Sequence, residues 1–399
     1  MTFMLMFKET DDTWCIMRRP SRFTHGSRQS RSVQLCRVTT LVVGLLVCGI
    51  YARFLWPSST EREDADHDIR TEMTESNVSA EKIQTPQQKL WLTIGIPTVP
   101  RRNDIDYLMT TVEALLQELP STLDAPLYAK VRVIVMNNKK GKHVVFERAK
   151  TRYQNAGTDV LLSRAIAASH IEFVDNPGDF VDPFKGKIEE PDDLNNPSSR
   201  PGSAVRQQTC DLITLMEEAL RRPSDYYMFM EDDFRTCGKA LEATKYAIGL
   251  ATEMSPSWLA MRVSYGMNGI VMRSRDLPPF SDFLREHLAR LPPDLLWTGY
   301  LDGRTYDKPE EDTRVNRGPL MVFKHNLFDH IGTVSSFEVR PDRPKWPGCY
   351  ESMANVWSLQ EHERFDPRCD EFDVSPCIGL TTDSKAALIY KGGHSFQPP

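Results

Sequence analysis

The sequence predicts an α/β fold of layered strands and helices, set behind one N-terminal membrane helix. Three observations carry that reading. Strand-like and helix-like segments alternate from Leu90 to Ile331. One strand, Tyr226-Tyr227-Met228-Phe229-Met230, stops abruptly at the acids Glu231-Asp232-Asp233. An apolar run, Val38 to Trp56, separates a basic segment from an acidic one.

Residues 1–37 carry Lys8, Arg18, Arg19, Arg22, Arg28, Arg31 and Arg37, and read as a cytosolic tail. Residues 38–56 are just long enough for a span, which needs about 20 apolar residues, and Arg53 can snorkel to the interface. A cleaved signal peptide would need a shorter leader than this one. Either way the main domain is exported. Residues 57–88 are acidic and polar, a stem without a core, with a glycosylation sequon at Asn77.

The domain is expected over residues 89–337. Leu90 to Ile96 is a strand stopped by Pro97, and a helix follows from about Asp104 to Leu119 with Asn103 or Asp104 as its cap. Val131 to Met136 is the second strand, followed by a helix near His143 to Tyr153, and Ile171 to Val174 is the third strand. A long polar loop spans 176 to 203. A helix from Ser203 to Arg221 leads into the acid-ended strand, and another runs from Lys239 to Glu253. Ser257 to Val263 and Gly318 to Lys324 read as strands, Pro279 to Arg290 as a helix, and Asn326 to Ile331 as a turn or short helix. Residues 338–399 read as an irregular, Pro-rich extension with one late strand at Ala386 to Tyr390.

Composition narrows the class. The 399 residues carry a net charge of −6, which argues against a nucleic-acid binder. Cys210, Cys237, Cys349, Cys369 and Cys377 would lie in an oxidising lumen, where Cys369 could pair with Cys377 and Cys210 with Cys237.

The acids carry the chemistry. Three adjacent carboxylates repel one another, so a positive group belongs among them. Strand ends are where ligands bind in open α/β sheets, and hard divalent cations prefer carboxylate oxygen. In an extended backbone Glu231 and Asp233 share one side, so Asp233 would hold the metal while Glu231 or Asp232 faces its waters or a ribose. An acidic cap on the next helix is the plainer alternative. His330 could complete the coordination, and the following Thr333, Ser335 and Ser336 could hydrogen-bond phosphate, although a His between apolar residues is commonly a core residue. Thr98, Arg101 and Arg102 follow the first strand, where a nucleotide diphosphate would lie, or else form a solvated basic turn. A base for an acceptor hydroxyl could be Asp294 or one of Glu310, Glu311 and Asp312; each could equally be a cap or a solvated acid. Trp297 and Tyr300 could stack on a sugar or fill the core.

Four stretches, in order, resemble the N-acetylglucosaminyltransferase IV family (glycosyltransferase family 54) and the related GPI-anchor GalNAc transferase. They are Leu92-Thr93-Ile94-Gly95-Ile96-Pro97-Thr98-Val99 with Arg101, then Tyr226 to Asp233, then Pro293-Asp294-Leu295-Leu296, then Phe323 to Ser336. The resemblance implies a GT-A fold (a Rossmann-like mixed sheet flanked by helices) and a type II Golgi membrane enzyme. It implies a UDP-sugar donor with Mn²⁺ (or Mg²⁺), a glycan acceptor, and inversion at the anomeric carbon. Asp233 inherits the metal role and Asp294 is the first choice of base. The leading expectation is transfer of N-acetylglucosamine to a mannose of N-glycans. The alternatives are hexosaminyl transfer to a GPI glycan and an inactive membrane-anchored lectin. About sixty residues follow Phe337, fewer than the family's lectin-like domain needs, and no long apolar run after residue 60 matches the GPI enzyme's membrane hairpin.

Overall fold

A computed structural model describes residues 89–154, 162–188, 200–303, 318–333, 346–377, 396, 398 and 399. The tail, the membrane segment, the stem with Asn77, the acids Glu310, Glu311 and Asp312, Ser335, Ser336 and the strand expected at 386–390 lie outside the described residues. Among the described residues no helix is long and apolar enough to cross a membrane.

The chain runs β1 (Leu90–Thr98), α1 (Tyr107–Glu118), β2 (Val131–Asn137), α2 (Val144–Gln154), α3 (Leu162–Ala168), β3 (Ile171–Asp175), α4 (Ser203–Leu220) and β4 (Ser224–Phe229). It continues through β5 (Phe234–Thr236), α5 (Ala240–Met254), β6 (Ala260–Arg262), β7 (Ile270–Arg273), α6 (Leu277–His287) and α7 (Pro293–Leu301). It closes with β8 (Leu320–Phe323), β9 (Phe328–His330) and β10 (Val374–Ser375).

Eight strands form one sheet in the order β10-β8-β6-β7-β4-β1-β2-β3, and β5 pairs with β9 in a separate ribbon. Strands β4, β1, β2 and β3 are mutually parallel. β7 runs antiparallel between β4 and β6, and β8 is parallel to β6. The sheet is therefore mixed, as expected. Every residue of β2 is buried, as a parallel strand covered on both faces requires. Alternate residues feed two cores: Met228 and Met230 pack on one face, Tyr227 and Phe229 on the other.

Several elements depart from expectation. The cap of α1 is Asp106, whose carboxylate accepts from Met109 N–H at 2.9 Å, not Asn103 or Asp104. Asn326 to Ile331 is not a helix; three of its residues form β9, too short a strand to show periodicity. β5, β7 and α3 escape the sequence reading because they are too short to show a period.

The segment 346–377 is irregular yet integral. Met353, Val356, Leu359, Phe365 and Val374 join the core of the sheet, and β10 pairs with β8. Cys369 bonds Cys377, but Cys237 bonds Cys349, not Cys210. Cys210 faces the core from α4 and is free and buried.

Candidate active site

The C-terminal ends of β1, β2, β3, β4 and β6 lie at one edge of the sheet, joined there by the start of β7. The acids that follow β4 do not continue as a strand. Phe234 N–H donates to the Glu231 carbonyl at 3.4 Å, so the chain turns at Asp232 and Asp233. The alternation expected of an extended backbone is thereby replaced, and each acid acquires its own surroundings.

The positive group among the carboxylates is a side chain of the protein. The Arg101 guanidinium pairs with Asp232 and lies 3.3 Å from Asp233 Oδ2, with all three side chains nearly or wholly buried. Although burial opposes it, Arg101 is held firmly in its charged form by Asp232 and Asp233. Thr98 Oγ–H donates to Asp232 Oδ2 at 2.6 Å, and Thr111 Oγ–H to the Asp232 carbonyl at 2.9 Å. Thr98 also meets His143 Nε2 at 2.9 Å. His143 Nδ1 accepts from Phe146 N–H at 3.4 Å, so the hydrogen-bond pattern puts the ring proton on Nε2, pointing at Thr98. Burial lowers the His143 pKa, which keeps the ring neutral. A relay thus runs from His143 through Thr98 to Asp232.

Asp233 is held differently. His330 Nε2 lies 3.5 Å from its Oδ2, and Ile331 N–H and Gly332 N–H donate to its carbonyl at 2.9 and 3.2 Å. The β5–β9 register, Phe234 opposite His330, sets that approach. Gly332 leaves room for it: a Cβ there would clash with the Asp233 carboxylate and lie 2.8 Å from His330 Nε2. Burial raises the pKa of Asp233, and the Arg101 and His330 side chains act against it. Glu231, buried beside Asp233, is pushed well up, first by burial and then by that neighbour's charge. Its backbone N–H donates to Asn268 Oδ1 at 3.3 Å, and its Oε1 has no hydrogen-bond partner among the described residues.

Among the described residues no three His, Cys, Asp or Glu side chains converge as a metal-holding group. Asp233 and His330 provide two adjacent donors, and Glu231 Oε1 is an orphaned buried oxygen at the same turn. That donor set fits a cation that keeps water and phosphate oxygens for its remaining positions.

The remaining sequence candidates separate. Arg102 is exposed in a single turn beside Asn103 and Asp104. Thr333 is bonded to Tyr107, its N–H donating to the phenol oxygen at 2.7 Å. Trp297 and Tyr300 pack against Phe280 and are buried, which rules out the sugar-stacking role for both. Asp294 opens α7 after two prolines, buried, with neither carboxylate oxygen hydrogen-bonded among the described residues. Burial pushes its pKa up to about 7, against the backbone N–H groups at the helix start and with the help of Glu363. Glu363 in turn binds Arg262 at 2.6 Å, and Arg262 donates to the Gly266 carbonyl at 2.9 Å. A Cβ on Gly266 would lie 3.7 Å from Glu231 Oε2, which places the Arg262–Glu363 pair close to the acids.

Sequence reading missed His143, Thr111, Asn268 and Gly332. It also missed the polar group after β2 and β3, where Asn176 Nδ2 and Gln207 Nε2 donate to Asp211 at 3.1 and 3.0 Å and burial lifts Asp211 to about 7. None of these belongs to a recognisable spacing. Gly332 alone carried a signal, as a glycine inside the His330 motif.

The family description "MGAT4 conserved region" matches residues 65–345. The chain belongs to the MGAT4 family. The curated mouse (Mus musculus) alpha-1,3-mannosyl-glycoprotein 4-beta-N-acetylglucosaminyltransferase C is 24% identical over 317 residues, 74% of this chain and 59% of that protein. The pig (Sus scrofa) protein of the same name is 25% identical over 254 residues, 63% of this chain and 47% of that protein. This MGAT4-family chain thus spans about half the length of the curated relatives it matches. A crystal structure of S. aureus TarS aligns with 10% identity and a TM-score of 0.29, over 50% of this chain and 33% of that one.

Proposed function

We propose that the chain is an inverting glycosyltransferase of GT-A type that moves N-acetylglucosamine from UDP-GlcNAc to a mannose of N-glycans. The observation that carries this is family membership over residues 65–345, combined with an acid cluster paired to Arg101 and His330 at the ligand-binding edge of the sheet. The names of the mouse and pig relatives support a β1,4 linkage on the α1,3-mannose arm.

Asp233 and His330 would hold Mn²⁺ or Mg²⁺, and the bound ion would neutralise the charge that builds on the leaving diphosphate. The protein's own residues do the remaining work. Arg101 fixes Asp232 and keeps Asp233 ionised, and its charge favours a diphosphate nearby. The relay from His143 through Thr98 locks the orientation of Asp232. Asp294 takes the proton from the acceptor hydroxyl; a carboxyl poised at about 7 is a far better base than an ordinary one. Residues 38–56 would anchor the chain in the Golgi membrane with this domain in the lumen.

The test is product formation. The purified chain is incubated with UDP-GlcNAc, UDP-GalNAc or UDP-Gal, a free mannose-containing N-glycan, and Mn²⁺ or chelator. The expected result is metal-dependent extension of the glycan from UDP-GlcNAc. Preference for UDP-GalNAc and a GPI glycan would favour the other hexosaminyl reading. Glycan binding without UDP release from any donor would identify a lectin.

A further inference from the structure

Five of the large hydrophobic side chains exposed among the described residues are aliphatic, and one is aromatic: Trp357, 41% exposed. A lone exposed apolar residue needs no explanation. Trp357 is set apart by what lies beneath it. Its indole stacks on Trp346, with centroids 5.0 Å apart and planes at 26°. Trp346 stacks on Tyr265 at 5.1 Å and 7°, and meets the His330 ring edge-on at 5.7 Å. A column of rings therefore joins the Asp233–His330 pair to the surface, and Trp357 is its outer end.

The column is braced. Asn326 Nδ2 donates to the carbonyls of Pro347 and Gly348, and the Cys237–Cys349 disulfide ties the same segment to the chain just after β5. Val356 and Ser358, on either side of Trp357, are buried, and Arg364 donates to the Trp357 carbonyl at 3.4 Å. The exposed face is thus presented by a rigid backbone, so little freedom remains to be lost on binding.

We propose that Trp357 is an acceptor platform, its exposed face packing against the C–H face of a pyranose ring next to the sugar that reacts. The π face of an aromatic ring is negative and a pyranose presents weakly positive C–H groups on one side, so the two surfaces are complementary in shape and charge. Position selects the acceptor over the donor. Trp357 is two ring contacts from His330, the reach of a short saccharide, whereas the donor diphosphate belongs at Asp233 and Arg101. This inference rests on the transferase reading above.

The experiment compares the whole chain with Trp357→Ala and Trp357→Phe, using UDP-GlcNAc and a free mannose-containing N-glycan. The expected result is an acceptor KM raised about tenfold in Ala and partly restored in Phe, with kcat at saturation and donor KM unchanged. Acceptor-free hydrolysis of UDP-GlcNAc should also be unchanged. An unmoved acceptor KM, or a shift in donor KM instead, overturns the platform. Saturation-transfer NMR on the wild-type chain gives a readout independent of the variants: the glycan's C–H protons should take up magnetisation from aromatic protons, and absent uptake also overturns it. A wild-type chain that binds the glycan through Trp357 but transfers nothing leaves the platform standing and removes the transferase reading.

Discussion

His330 Nε2 lies 3.5 Å from Asp233 Oδ2 because β9 pairs with β5 in a register that sets His330 opposite Phe234, the residue after Asp233. Two residues distant in sequence are brought together by a ribbon of three residues a side. Gly332 permits the approach. Gly332→Ala should therefore displace His330 or Asp233 while leaving the core intact. Metal-dependent donor turnover should fall by about a hundredfold, with a melting temperature within a few degrees of wild type. Undiminished turnover would show that the pair is structural.

Arg101 is the buried counter-ion of two buried acids. Arg101→Ala leaves both uncompensated and should cost about 3–5 kcal/mol in urea unfolding. Adding Asp232→Asn should return part of that loss, since one of the stranded charges is removed. Additive losses in the double variant would contradict the pairing.

His143 reaches Asp232 only through Thr98. His143→Ala removes its bonds to Thr98 and to Phe146 N–H, should cost about 1–3 kcal/mol, and should lower kcat more than it raises donor KM. His143→Gln, which can donate to Thr98, should recover most of the rate. Equal defects in Ala and Gln would mean that the ring packs and does not relay.

As the proposed base, Asp294 makes opposite demands on stability and activity. A base works deprotonated, so transfer should fall as pH drops through about 7. Its folded-state pKa is raised above the unfolded value, so the stability linked to its proton is fully present below about 4 and is lost as pH rises through about 7. Asp294→Asn should abolish transfer and raise stability by about 1–3 kcal/mol at a pH near 8, with no gain near pH 4. Thermal melts at the two pH values check the sign.

The Cys237–Cys349 bond closes a loop of 112 residues. Replacing both cysteines with Ser should cost about 2–4 kcal/mol by releasing the unfolded chain, as read by chemical unfolding of the oxidised wild type beside the variant. The shorter Cys369–Cys377 link, separated by 8 residues, should cost less when removed.

The parallel strands were legible in the sequence because buried strands are continuous apolar runs bounded by turn residues, as in Val131 to Met136. The antiparallel part was not. β5, β7 and β9 have only three or four residues each, too few to show a period. The acid run announced a charged site, but repulsion alone could not say which cation answers it. Arg101, 131 positions away from Asp232, stood out as a phosphate partner or a solvated basic turn after the first strand, not as the partner of the acids. His143 gave no signal, because a helix start of that kind is common and its partner Thr98 lies 45 positions upstream. Trp297 and Tyr300 drew attention as possible sugar contacts because the sequence shows an aromatic residue without showing its burial.

The site gathers Thr98, Arg101 and His143 from early in the chain, the acids from its middle, and His330 from late. A nascent polypeptide emerging N-terminus first would expose its carboxylate turn long before β9 arrives to complete it. Competence is accordingly the last property such a chain acquires during synthesis, and fragments ending before residue 330 would be inert however well their parallel strands assemble.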